Sequence, residues 1–203
     1  NYPFNLVMSI LAGAVAAGNC CIIKPSELSP YTSKLVTEII NEVFDKGHCS
    51  AVEGGIPETT ELLKERVDFI HYTGGINVGK IISQAAAKYL TPVALELGGK
   101  SPCIVDKNAD LEISARRILW GKFLNAGQTC VAPDYLLLHK EIKDKFLDIM
   151  KKELLKFYGG NAKASIDYAR IINEKHFDRI VSFLSCGNII SGGDTDREKL
   201  YIE

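Results

Sequence analysis

Apolar positions along the chain follow two alternating rhythms. Short runs rich in apolar and β-forming residues occupy 20–24, 50–53, 68–73 and 93–97, and each is closed by Pro or Gly. Such runs are expected of strands buried in a parallel sheet. Between them the spacing lengthens to three and four. Leu35, Val36, Ile39, Ile40, Val43 and Phe44 mark one helical stripe. Residues 58–66 have helical propensity, and residues 78–89 form an alanine-rich helical stretch. The resulting β-α-β-α-β-α-β order predicts a parallel sheet covered by helices, joined by right-handed crossovers. Ligands in such sheets bind beyond the carboxyl ends of the strands. Lys24, Gly74 and Glu96 all stand at or near such ends.

A second unit is expected after Gly98-Gly99. Residues 103–105 and 135–138 have strand character, and residues 110–125 form a helix with Asp110 as its N-cap. Ile142, Phe146, Ile149, Met150 and Leu154 mark another helical stripe, and residues 176–184 are also expected to be helical. The fold class is therefore α/β throughout, with domains at 1–97 and 98–203. No internal repeat or low-complexity linker interrupts the pattern.

Composition narrows the functional classes. The 203 residues are 46% hydrophobic and 24% charged, and net charge is −1. A chain this long buries a sizeable core. It carries no broad basic surface for nucleic acid or an anionic membrane. No apolar run reaches the roughly 18 to 20 residues that span a bilayer. The chain opens on Asn1-Tyr2-Pro3-Phe4 without a signal-peptide layout and ends at Tyr201-Ile202-Glu203. Both ends are those expected of an internal piece of a longer protein. The six cysteines show neither C-x-x-C spacing nor a His at zinc-finger distance, so no metal site is expected. Reduced thiols, mostly small buried hydrophobes, are the simplest expectation for them.

Candidate chemistry sits in the glycine-punctuated turns. Cys130, in Gly127-Gln128-Thr129-Cys130, follows Glu96, in 95–100, by 34 residues. One offers a thiol that attacks carbon, the other a carboxylate that takes a proton. Taken alone, Cys130 is an inert thiol or a nucleophile. It follows a helix C-terminus, whose partial negative charge disfavours a thiolate, so its activation has to come from elsewhere. Glu96 closes an apolar strand, where a carboxylate is costly without a role or a partner. Desolvation there would raise its pKa towards that of a general base. Gly74, Gly75, Val78 and Gly79 lie in a strand-to-helix turn, where backbone N–H groups approach a phosphate or simply close a turn. The turn nearly matches a phosphate loop, but Ile81 stands where that chemistry needs a hydroxyl for magnesium. Lys24-Pro25-Ser26-Glu27 is a solvated turn or a holder of ribose hydroxyls; in the latter case Glu27 would repel a 2′-phosphate and favour NAD over NADP. His48, His71, His139 and His176 are scattered, and Trp120 is expected in the core.

Taken together, these strings resemble the aldehyde dehydrogenase superfamily over essentially the whole chain. Asn1-Tyr2-Pro3-Phe4, Lys24-Pro25-Ser26-Glu27, 95–100 and 127–130 occur in the family's order and spacing. Residues 54–63 and 131–135 are similar to its class 3 branch, which handles medium-to-long aliphatic and aromatic aldehydes. The resemblance implies a Rossmann-like cofactor-binding domain at 1–97 and part of a catalytic domain at 98–203. It implies Cys130 as the nucleophile that passes through a thiohemiacetal and a thioester. Asn1 and the Cys130 N–H would form the oxyanion hole, and Glu96 would activate water. Lys24 and Glu27 would hold the adenosine ribose of NAD, with NADP as the alternative. Gly74, Gly75 and Gly79 would face the pyrophosphate, and Val78 the adenine. Gly75 departs from the family's usual Ser, and Ile76 and Asn77 from its usual small residues. The resemblance further implies an aldehyde substrate, a homodimer and a cytoplasmic location, with membrane association through a C-terminal tail outside this piece as an alternative. Rival functions are an inactive truncated product, a coenzyme-A-acylating relative and a phosphate-loop nucleotide hydrolase.

Overall fold

The computed structural model describes residues 1–203. The chain divides into two compact units, Asn1–Leu97 and Gly98–Glu203. Unit 1 runs α1 (Pro3–Ala16), β1 (Cys21–Ile23), α2 (Pro30–Val43), β2 (Cys49–Ala51), α3 (Ile56–Leu62), β3 (Ile70–Thr73), α4 (Ile76–Ala87) and β4 (Val93–Glu96). Its strands form two parallel ladders, β1 with β2 and β3 with β4, instead of one continuous sheet.

Helix α1 is absent from the periodicity reading. Its residues are apolar on nearly every face, so no stripe stands out, and only Leu11 is fully buried. The helix begins with Pro3 in its first turn, where the missing N–H costs nothing. Just past its end Gly18, with a φ of 79°, turns the chain so that the Asn19 N–H reaches the Ala14 carbonyl at 3.1 Å. Leu11 of α1 packs with Val36 and Ile40 of α2 and Cys49 of β2, so both helices cover the first ladder. Helix α3 starts two residues earlier than expected and stops at Leu62. The Glu58 carboxylate accepts from the Gly55 N–H at 2.6 Å and fixes that start.

Unit 2 contains β5 (Ser101–Val105), α5 (Leu111–Phe123), β6 (Pro133–Leu138), α6 (Lys143–Tyr158), α7 (Glu174–Val181) and a short antiparallel pair, β7 (Thr195–Asp196) and β8 (Tyr201–Ile202). The β7–β8 pair has only two residues per strand, too few for a periodic signal. Strands β5 and β6 are parallel. Asp110 caps α5 as expected, accepting from the Ile113 N–H at 3.0 Å. Val105, Ala115, Ile118, Ile142 and Phe146 form the core, so Ile142 and Phe146 of the expected stripe are buried and Ile149 and Met150 pack against them partly buried. Glu153 of α6 is also buried, between Arg116 and Lys156. Those cations, Lys156 first, hold its carboxyl below the usual range against the effect of burial.

Two expectations about burial fail. Trp120 is 64% exposed and lies outside the core, because α5 turns Ala115, Ile118 and Leu119 inward instead. The cysteines are free, but only Cys49 is buried; Cys20 and Cys186 are exposed and the other three are intermediate. No helix is long and apolar enough to cross a membrane, and no cluster of metal-ligating side chains is present.

Candidate active site

The carboxyl ends of β1 and β2 carry the first group of polar residues. The Lys24 ammonium donates to the carbonyls of Pro25 and Gly54, both at 2.9 Å, and to Glu27 Oε2 at 3.2 Å. Lys24 thereby ties the exit of β1 to the loop after β2, and its own contacts hold it aimed at that corner. The Glu27 carboxyl is kept below the usual range by its own backbone N–H and by Lys24. It is anionic at neutral pH and about half exposed.

Tyr72, which the sequence did not single out, connects this corner to the next turn. Its hydroxyl donates to the Gly75 carbonyl at 3.4 Å. Burial raises its pKa, and the Glu27 charge adds to that. Gly74 lies so close to Tyr72 that a side chain there would displace the phenol. The Gly74 N–H donates to the Glu96 carbonyl at 2.9 Å, extending the β3–β4 ladder by one bond, so this amide is already committed. Gly75 is the N-cap of α4 without a side-chain cap, and nothing lies within 4 Å of where its Cβ would stand. Val78 is exposed in the first turn of α4. The N–H groups of that first turn are the donors a helix leaves unpaired. Gly79 differs from these. It is buried, and an added Cβ would come within 3.0 Å of Leu97, so its absent side chain lets α4 close on the strand side of unit 1.

Glu96 ends β4 opposite Thr73 and is exposed in unit 1. The desolvation expected from its apolar strand is therefore not seen, because the strand's last residue clears the α4 cover. Asn1 is also exposed, immediately before Tyr2, whose φ of 43° turns the chain into α1.

Cys130 stands in unit 2 on a turn between α5 and β6. The approach to it is not a simple helix C-terminus. After Phe123 a short 3₁₀ segment, Leu124–Gly127, carries three successive left-handed residues, Asn125, Ala126 and Gly127, with φ of 56°, 52° and 78°. For Asn and Ala this conformation costs energy, and such strain persists only where surrounding contacts enforce it. Gln128 supplies those contacts. Its carboxamide donates to the carbonyls of Asn125 and Arg170, each at 3.0 Å, and accepts from the Ile172 N–H at 3.0 Å. The turn closes with the Ala132 N–H on the Thr129 carbonyl at 3.1 Å. Cys130 is half-buried. Its carbonyl faces Gly99 so closely that only a glycine fits there. Next to Gly99, Lys100 pairs with Asp134 at 3.1 Å, a second tie between the start of β5 and the exit of the cysteine turn.

The sequence assigned no role to Gln128 or Gly99, although both lie inside its motifs. Gln-Thr-Cys and Gly-Gly-Lys are short polar strings whose partners lie about 30 to 45 residues away, beyond the reach of any local pattern.

Comparison with known proteins gives a consistent result. Residues 1–197 match the aldehyde dehydrogenase family model. The chain is 52% identical over 202 residues to "Aldehyde dehydrogenase, dimeric NADP-preferring" of Mus musculus, covering 100% of this chain and 45% of that protein. It is also 52% identical over 202 residues to "Aldehyde dehydrogenase family 3 member A2" of Mus musculus, covering 100% of this chain and 42% of that protein. Among solved structures, the substrate-bound state of Staphylococcus aureus AldH superposes with a TM-score of 0.93 at 50% identity, covering 100% of this chain and 44% of the other. The chain thus spans less than half the length of these relatives.

Proposed function

Because the chain belongs to the aldehyde dehydrogenase family, we propose that the full-length protein oxidises aldehydes to carboxylic acids with a nicotinamide dinucleotide, through a thioester on Cys130. The observation that carries this reading is the fit between the two motifs. Gly99, three residues after Glu96, packs against the backbone of Cys130, and Gln128 fixes the same turn from its other side. A nucleophile needs such a rigid support if its sulfur is to meet a carbonyl carbon at attack distance.

The roles follow from the chemistry of each group. The Cys130 thiolate adds to the aldehyde carbon, giving a thiohemiacetal. The Asn1 carboxamide and the Cys130 N–H donate to the developing oxyanion. A nicotinamide dinucleotide, when bound, would supply the hydride acceptor, which would leave Cys130 holding the acyl group as a thioester. Glu96 then takes a proton from water, which attacks the thioester and releases the acid. Residues 1–97 serve as the cofactor-binding domain and 98–203 as part of the catalytic domain.

Unit 1 fits a dinucleotide at the corner described above. In this reading Lys24 and the anionic Glu27 bind ribose hydroxyls, the side-chain-free Gly74 and Gly75 let the pyrophosphate approach the unpaired N–H donors at the start of α4, and Val78 lies against the adenine. Gly79 supports that turn by close packing. A carboxylate held anionic repels a 2′-phosphate, which supports NAD as the cofactor, while the NADP-preferring relative keeps NADP as the alternative. The substrates are medium-to-long aliphatic or aromatic aldehydes, and the full-length protein is a homodimer. Six free thiols suit a reducing, cytoplasmic setting; attachment to a membrane through a further segment is the alternative.

The test is dinucleotide reduction by the full-length protein on addition of an aliphatic aldehyde. Reduction with NAD, less with NADP, and without coenzyme A supports the reading. An absolute requirement for coenzyme A would replace hydrolysis by acyl transfer, and no reduction would refute it. The family membership and the apolar Ile81 exclude the phosphate-loop hydrolase. A second reading rests on the 42–45% coverage of the relatives: residues 1–203 alone lack turnover, which catalysis by that isolated piece would contradict.

A further inference from the structure

Cys21 and Cys49 lie 28 residues apart in sequence and are direct partners in the parallel register of β1 and β2. Adjacent strands lie about 4.8 Å apart, and paired residues project to the same face. Disulfide-bonded Cα atoms are usually about 4.4 to 6.8 Å apart, so this register is compatible with a bond after a small side-chain adjustment. Both side chains face the cluster of Leu11, Val36 and Ile40, while Ile22, the next residue on β1 and the partner of Ser50, points to the opposite, exposed face.

The two thiols differ in access. Cys49 is fully buried, whereas Cys21 is half-buried. A reagent from solvent meets Cys21 first and reaches Cys49 only through it. Cys20 is exposed, precedes the strand and has no register partner. Burial, and then the adjacent Cys49, raise the Cys21 thiol above its ordinary pKa. The spacing rules for cysteine motifs could not show this pair, because only the strand register brings it together.

We propose that Cys21 and Cys49 form a dithiol site that is oxidised by small-molecule disulfides and closes to an intramolecular disulfide. The Cys21 sulfur, on losing its proton, attacks one sulfur of the small disulfide. That S–S bond breaks, and the leaving thiolate takes up a proton. The Cys49 sulfur then attacks Cys21, breaks the mixed disulfide and releases the second small thiol, with the Cys49 proton passing to it. Two protein thiols are oxidised and one small disulfide is reduced to two thiols. The new bond lies three residues before Lys24 and five before Gly54, on the two strands that the Lys24–Gly54 hydrogen bond joins. The pair lies within unit 1, and its oxidation does not depend on the proposed aldehyde chemistry.

The test treats the full-length native protein with glutathione disulfide, alkylates the remaining thiols and maps the peptides by mass spectrometry. The expected product is a Cys21–Cys49 linked peptide, retained in Cys20→Ser. Cys49→Ala, or Cys49→Val if alanine unfolds the core, should stall as a glutathione adduct on Cys21, at least tenfold more abundant than in the wild type. A wild type that accumulates the Cys21 adduct without closing, or in which both thiols remain fully alkylatable, would overturn the proposal.

Discussion

A methyl group added to Gly99 would come within 2.1 Å of the carbonyl oxygen of Cys130. The opposing atom is backbone and cannot swing aside, so Gly99→Ala has to push the cysteine turn away from β5. Displacements of about 1 Å at a nucleophile cost roughly 100-fold. For the full-length protein acting as proposed, kcat/KM should fall by about that factor while dinucleotide affinity stays within about twofold. Steady-state kinetics with a dinucleotide titration decides this, and full activity in the variant would show that the turn tolerates movement.

Gln128 holds the same turn from the side of residues 170–172. Gln128→Ala removes two donations and one acceptance, leaving the Arg170 carbonyl and the Ile172 N–H without their partner. Losing a hydrogen bond of this kind costs about 0.5 to 1.5 kcal/mol. The left-handed Asn125 and Ala126 should relax at the same time. Thermal unfolding should begin earlier, and the rate of Cys130 alkylation by iodoacetamide should change at least threefold. An unchanged alkylation rate would mean that the strained turn holds itself.

Much of this arrangement could be inferred from the chain. The Val36–Ile40 and Ile142–Phe146 stripes became core, Asp110 became a cap, and Lys24, Gly74 and Glu96 fell at strand ends. What stayed hidden has physical reasons. Helix α1 lacks a polar face, so its period is masked. Trp120 looks like a core residue by type, yet its neighbours on α5 fill the core. Gln128, Gly99 and Tyr72 act through partners distant in sequence or through backbone atoms, which residue type and spacing do not encode.

Lys24 makes three contacts at the corner where the ribose is proposed to bind. Lys24→Met keeps the stem and removes the charge. Charge-assisted hydrogen bonds contribute about 1.5 to 3 kcal/mol each, and solvent exposure of Glu27 reduces this, so the dinucleotide Kd should rise about tenfold. Calorimetric titration measures it, and an unchanged Kd would remove Lys24 from the cofactor site.

Tyr168 should govern part of the alkaline stability of unit 2. Its hydroxyl donates to the Ile202 carbonyl at 3.1 Å, and burial pushes its pKa from 10.0 to about 12. The folded state therefore keeps the proton after the unfolded chain has lost it. The stabilisation is complete below pH 10 and is lost as pH rises towards about 12. Tyr168→Phe should be less stable at neutral pH through loss of that bond, and its melting temperature should fall less steeply than the wild type's between those two pH values. Parallel slopes would contradict this.

In the proposed mechanism Glu96 and Cys130 carry the chemistry, and one measurement separates their roles. Full-length Glu96→Gln is mixed with NAD and an aliphatic aldehyde, quenched in acid within the first turnovers and analysed by peptide mass spectrometry. An acyl group on Cys130, accumulating to nearly one per site with one equivalent of reduced dinucleotide, is the predicted result; steady turnover should be slowed by about 100-fold or more. Absence of any acyl group on Cys130 while the wild type turns over, or full-rate oxidation by Cys130→Ala, would contradict the account.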